Sequence, residues 1–128
     1  MTRVLVVDDH DDSRTSLRAL CETWGHDVAC AADGREALAI CAAIVPDVVI
    51  LDLGMPGLDG WEVARRIRTD AGGGIYIIAL SGWTRASDRA RAVLAGVDDF
   101  FIKPANLTVL RNLLNVVPAR IEARTRKR

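Results

Sequence analysis

The chain carries no excess of either charge: 17 Lys and Arg stand against 17 Asp and Glu, a formal net charge of +0. A neutral whole lends no support to a nucleic-acid binder, which shows itself by a basic surface. A cysteine framework is missing as well. Cys21, Cys30 and Cys41 are odd in number and lack CxxC spacing. That argues against a disulfide scaffold or a zinc site and for reduced thiols in a cytosolic protein. His10 and His26 show no ligand pattern. The apolar start, Val4 to Val7, is cut off by acid, so no signal peptide is read. No apolar run approaches the roughly 20 residues that a membrane span needs. These absences predict a soluble, cytoplasmic chain. Half of its 128 residues are hydrophobic, which argues against disorder and fits one domain with a full core.

What is present is a regular alternation. Apolar runs at Val4–Val7, Val48–Leu51, Ile75–Leu80 and Phe100–Ile102, with a weaker run at Val28–Cys30, read as strands. Helical patterns lie between them. Asp11 or Asp12 is expected to cap the first helix, which buries Leu17, Leu20, Cys21 and Trp24 and ends at Gly25. Asp33 and Glu36 open the second, which buries Ala37, Leu38, Cys41 and Ile44 and stops at Pro46. Asp59 and Glu62 open the third, with Val63 and Ile67 facing in. Gly72–Gly74 reads as a flexible loop, and the next helix turns Ala90, Val93 and Leu94 inward and ends at Gly96. The last helix carries Leu107, Leu110, Leu113 and Leu114, and Pro118 ends or kinks it. Some five β–α units without an internal boundary predict an α/β fold. The expected form is a three-layer α/β/α sandwich on a five-stranded parallel sheet, flavodoxin-like order 2-1-3-4-5.

In such a sheet the carboxyl ends of the strands share one rim. Asp8 and Asp9 follow the first strand, Asp52 the third, Ser81 the fourth and Lys103-Pro104 the fifth. Carboxylates brought together repel and raise one another's pKa. A divalent cation removes that cost, and Mg²⁺ suits one or two carboxylates plus phosphate oxygens. Asp11 and Asp12 read instead as acids favoured at a helix start.

Taken together these residues resemble the receiver domain of two-component response regulators, of the single-domain chemotaxis type. The matching stretches are Val4-Leu5-Val6-Val7-Asp8-Asp9, Asp47 to Asp52 running on into Gly54-Met55-Pro56-Gly57-Leu58-Asp59-Gly60, Ala79-Leu80-Ser81-Gly82, Ala95-Gly96-Val97-Asp98-Asp99-Phe100, and Lys103-Pro104. They cover the chain from about Val4 to Leu114. The resemblance implies that Asp52 is the phosphoacceptor and that Asp9 and Asp52 ligate Mg²⁺ directly. Asp8 would act through water, and the backbone carbonyl of Gly54 would add a ligand. Lys103 would contact the phosphoryl group, the bond before Pro104 would be cis, and Ser81 and Phe100 would be the switch pair. The phosphoryl donor would be a phosphohistidine on a histidine kinase or a histidine phosphotransfer protein. The output would be a protein-interaction face on the fourth helix, last strand and last helix, read by a downstream protein. On this reading the chain is a signalling phosphoacceptor rather than an enzyme, although it assists its own phosphorylation and dephosphorylation. No membrane or nucleic-acid partner is expected.

Some positions depart from the family's pattern. Gly54 leaves one side of the site open, Trp83 could lean over the other, Gly82 loosens the loop after Ser81, and Ala105 stands where Phe is frequent. The charged pairs used for dimerisation on the last helix are not evident in 107–117. The expected division is a receiver at 1–117 and a basic tail at 118–128, which reads as a solubilising stub. With little chain outside it, a free-standing receiver is the first expectation. A receiver cut from a longer regulator or hybrid kinase is the alternative, and a binding-only degenerate receiver is a weaker one. A flavin carrier is disfavoured because Asp8 to Asp12 would repel a phosphate. A phosphatase of the aspartyl-phosphate type would want an acid at Gly54.

Overall fold

The computed structural model describes residues 2–54, 59–82 and 86–126. The expectations that involve residues 55–58, Trp83, Lys127 and Arg128 lie outside these. The elements in order are β1 (Arg3–Val7), α1 (Asp11–Thr23), β2 (Asp27–Ala31), α2 (Gly34–Ile44), β3 (Val48–Asp52) and α3 (Gly60–Ala71). A 3-10 turn at Gly72–Gly74 leads to β4 (Tyr76–Ser81), α4 (Ala86–Leu94), β5 (Asp99–Ile102) and α5 (Leu107–Arg126). The strands form one parallel sheet of order β2-β1-β3-β4-β5, as the alternation predicts.

Side chains alternate across a strand, so each central strand feeds two cores. Leu5, Val7, Val49, Leu51 and Ile77 pack with Ala37 of α2 and Val63, Ala64 and Ile67 of α3. Val4, Val6, Val48, Ile50 and Ile78 pack on the other face with Cys21 of α1 and Leu110, Leu113, Leu114 and Val117 of α5. Every residue of β3 is buried, as expected of a strand covered on both faces. Among the described residues no helix is long and apolar enough to cross a membrane.

The caps follow from local chemistry, with one exception. Asp33 accepts from the Glu36 N–H at 2.8 Å, and Glu36 accepts from Ala32 N–H at 3.2 Å. Asp59 accepts from the N–H groups of Trp61 and Glu62 at 2.7 and 3.3 Å. At α1, however, the cap is His10, whose Nδ1 accepts from the Ser13 N–H at 3.4 Å. Asp11 and Asp12 are first-turn acids within the helix, not its cap. Asp8 already holds the His10 N–H, which fixes the helix start one residue early.

Other expectations fail for packing reasons. α4 buries Ala92, and Ala95 just past its end, while Ala90 is exposed and Val93 is 75% and Leu94 86% exposed. Ala92 and Ala95 face the sheet, and the large apolar residues are turned out with Ala90. Ile44 and Leu107 also face outward, at 37% and 47% exposure. Gly72–Gly74 is not a loose loop but a bound turn. Arg68 donates to the Gly72 carbonyl, and Arg124 Nε donates to the Gly73 carbonyl at 2.8 Å.

Nor does Pro118 end α5, which runs on to Arg126. A proline inside a helix costs about 3 kcal/mol, and contacts beyond it offset that cost. Ile121 packs on the core formed with α1. Arg124 Nη1 reaches Asp98 Oδ1 at 2.7 Å, and its Nη2 reaches the Ile75 carbonyl at 2.8 Å. Asp98 Oδ2 accepts from Arg68 Nη2 at 2.7 Å and from the Ile77 N–H at 2.8 Å. Arg120 Nη1 donates to the Tyr76 hydroxyl at 2.8 Å, and that hydroxyl donates to Asp99. Burial, followed by the Asp99 carboxylate that accepts its hydrogen bond, pushes the Tyr76 hydroxyl up to about 12. The residues expected as a tail are therefore, as far as Arg126, a helix bound to the amino end of the sheet. Arg124→Ala should lower unfolding free energy by about 2 kcal/mol, because it leaves partly buried acceptors short of a donor. A urea titration that finds Arg124→Ala as stable as wild type would show that the clamp is ornamental.

Candidate functional site

The site is built from strand ends. β1 stops at Val7, and the next residues, Asp8 and Asp9, stand at the carboxyl rim. β3 ends on Asp52, β4 on Ser81, and Lys103 follows β5 directly. The sheet order places β1 beside β3 and β4 beside β5, so all four strand ends lie together. Carboxylate oxygens of Asp8, Asp9 and Asp52 lie within 4.8 Å of one another. Lys103 Nζ donates to Asp52 Oδ2 at 3.0 Å. It arrives by way of Ser81: the Lys103 N–H binds the Ser81 carbonyl at 2.7 Å. The Lys103–Pro104 peptide is cis.

The turn after β3 is shaped by two glycines. The Gly54 N–H donates to Asp52 Oδ1 at 2.9 Å, so Asp52 has one oxygen held by backbone and the other by lysine. A Cβ on Gly54 would stand 3.5 Å from Asp52 Oδ1, an ordinary contact. Gly60 is different. A Cβ there would lie 2.8 Å from Leu53 Cα and 3.1 Å from the Asp52 carbonyl oxygen. Only glycine lets α3 begin against the strand that carries Asp52.

Asp8 and Asp52 are buried, with 5% and 7% of their surface exposed, while Asp9 is exposed. Burial holds the Asp8 carboxyl above its ordinary value of 3.8. The His10 N–H at 2.9 Å opposes that shift, the Asp52 charge adds to it, and the Lys103 charge opposes it. Arg14 Nη1 donates to the Asp8 carbonyl at 2.9 Å and braces the turn from α1. Three carboxylates with one lysine remain an excess of negative charge, partly out of water. Such a set fits a hard divalent cation with oxygen ligands.

Of the residues singled out in the sequence, Asp8, Asp9, Asp52, Gly54, Ser81 and Lys103 are thus gathered at one rim. Phe100 is not among them. It lies on β5 three residues before Lys103 and stacks on Trp61 of α3, with centroids 6.5 Å apart. The bracing roles of His10 and Arg14 had no sequence signal: His is a poor cap by type, and an i+6 contact follows no helical spacing.

The raised Asp8 carboxyl has a consequence for stability. A carboxyl that titrates higher folded than unfolded makes the fold lose stability as pH rises from 3.8 through the folded value. In chelator, Asp8→Asn should therefore be the more stable protein at pH 7, and the gain should fade as pH falls to 3.8 and below. Urea midpoints across that range check it. Equal midpoints at pH 7 would mean that the ionised Asp8 carries no such penalty.

Comparison with known proteins agrees with this geometry. Residues 4–115 match the family model described as "Response regulator receiver domain". The chain is 44% identical over 108 residues to the response regulator MprA of Mycolicibacterium vanbaalenii, covering 84% of this chain and 46% of that protein. It is 36% identical over 120 residues to a probable transcriptional regulator, ycf27, of Porphyridium aerugineum, covering 94% of this chain and 49% of that protein. The chain thus spans about half the length of these curated relatives. Among solved structures, the Vibrio cholerae chemotaxis protein CheY4 superimposes with a TM-score of 0.85 at 31% identity, covering 91% of this chain and 98% of that one. A response regulator receiver domain protein from Clostridium thermocellum does so with a TM-score of 0.89 at 26% identity, over 96% and 98%. With the family model matched over most of its length, the chain belongs to the receiver domains of two-component response regulators.

Proposed function

We propose that this chain accepts a phosphoryl group from a phosphohistidine donor onto Asp52 and so changes the face it offers to a downstream protein. The observation that carries the proposal is the Lys103 ammonium 3.0 Å from Asp52 Oδ2, with the Asp8 and Asp9 carboxylates gathered alongside. A histidine kinase or a histidine phosphotransfer protein is the donor that this chemistry suits.

A carboxylate oxygen of Asp52 attacks phosphorus, the phosphorus–nitrogen bond of the donor breaks, and the imidazole nitrogen leaves with the electron pair. The product is an acyl phosphate on Asp52. Phosphoryl transfer asks for positioning and charge compensation more than for covalent assistance. Asp52 is held by the Gly54 N–H and aimed by Lys103. Lys103 then follows the phosphoryl oxygens and offsets their charge. Asp9, Asp52 and the Gly54 carbonyl would hold Mg²⁺, with Asp8 acting through water, and the ion would supply charge neutralisation at those oxygens. Ser81, at the end of β4, offers a hydroxyl to one oxygen, and Phe100 repacks in response. Attack of water on the acyl phosphate returns the Asp52 carboxylate and inorganic phosphate. The chain's product is a changed surface on α4, β5 and α5, and its expected place is the cytoplasm.

Incubation with Mg²⁺ and acetyl phosphate should add one phosphate to the wild-type chain and none to Asp52→Asn, read by intact mass. Labelling of both alike would move the acceptor elsewhere.

A further inference from the structure

Three segments lead from the site into the body of the domain. From Asp52 the chain runs to α3, after Ser81 it continues to α4, and β5 ends beside Lys103. Away from the carboxylates, these three meet in one cluster. Trp61, in the first turn of α3, stacks on Phe100 of β5 at 6.5 Å and 22°. Two arginines of α4 cover the pair: the Arg91 guanidinium carbon lies 4.8 Å from the Trp61 ring centre, and that of Arg89 lies 5.4 Å from the Phe100 ring centre. Arg91 also reaches Asp59, the cap of α3, at 3.3 Å.

α4 needs these contacts. Among its described residues only Ala92 is buried, with Ala95 just beyond its end, so little apolar burial holds it to the sheet. A cavity of about 240 Å³ opens beside Trp61, between α3 and α4, and Arg91, Leu94 and Ala95 also line it. The rings and the helix therefore have space for a second arrangement, which a bistable element requires.

We propose that Trp61, Arg89 and Arg91 are positioning residues, a latch that joins the three segments and sets how readily the site changes state. This rests on the phosphoacceptor reading of Asp52. The latched arrangement is the one formed by the unmodified chain. Any movement of α4 or Phe100 that follows charge at Asp52 gives up guanidinium–ring contact. By linkage, loosening the latch makes the modified state easier to reach. The latch thus acts on the equilibrium of the site without touching the reacting atoms.

Beryllofluoride with Mg²⁺ serves as the probe, titrated while Trp61 emission is followed in a Trp24→Phe, Trp83→Phe background. In that background the emission should shift on saturation. Arg89→Gln and Arg91→Gln should each bind beryllofluoride about 2- to 5-fold more tightly, the scale of one exposed cation–π contact. The double variant should gain more than either single one, and Arg91→Lys should stay near the parent. Both arginines are exposed, and urea midpoints recorded alongside show that the variants fold. Unchanged or weaker binding by the folded double variant, with the parent responding, overturns the latch and leaves the Asp52 reading standing. A parent that neither responds to beryllofluoride nor gains phosphate mass from acetyl phosphate removes the Asp52 reading and the latch with it.

Discussion

The contact between Lys103 and Asp52 is the constraint around which the molecule is arranged. Asp52 is almost buried and carries its charge beside Asp8, which is buried too. Two carboxylates in that position are costly unless cations and N–H groups face them. The lysine comes from a strand that does not touch β3, since β4 lies between β3 and β5. It can meet Asp52 because all three strands are parallel and end at the same level, with Leu80 opposite Asp52 and Ile102 opposite Ser81. A shift of register by one residue on β5 would carry the ammonium about 3.3 Å along the strand and break the contact.

Opposite the rim, a second set of charges holds the amino end of the sheet. Arg68 and Arg124 grip Asp98 from two helices, and Arg120 and Tyr76 hold Asp99. Phe100 follows immediately and meets Trp61. Three consecutive residues of one short segment are thus bound to α3, to α5 and to the neighbouring strand. The segment that leads to Lys103 is fixed at its start as firmly as at its end. This places the looser attachment on α4, whose outer face carries Val93 and Leu94 in solvent.

Much of this was legible in the sequence because it rests on short-range rules. Runs of Val, Ile and Leu made the strands, and Asp33 and Asp59 capped the helices α2 and α3. Carboxylates placed after strands had to share a rim once the strands were parallel. The failures came where long-range contacts overrode local preference. Pro118 reads as a helix end, yet Arg120 and Arg124 find partners more than 20 residues away in the chain, at the start of β4, just before β5 and on the turn before β4. Three glycines in a row read as slack until two arginines bind their carbonyls. On α4, Ala92 and the larger apolar residues fit the helical period equally well, and only the close approach of the sheet decides that Ala92 faces in. The stack of Trp61 on Phe100 pairs residues 39 apart, which no periodicity announces.

The two charged ends differ in how water reaches them. The Arg91–Asp59 pair near the rim is more than half exposed on both sides, at 56% and 53%. At the other end, Arg68, Arg124 and Asp98 expose only 23%, 31% and 17% of their side chains. Dissolved ions weaken attraction between solvated charges and reach sheltered ones far less. Raising ionic strength should thus act like a wrench on a single pole of the molecule: the helix after Ser81 slackens, while at the opposite base the sheltered Asp98 keeps its grip on Arg68 and Arg124.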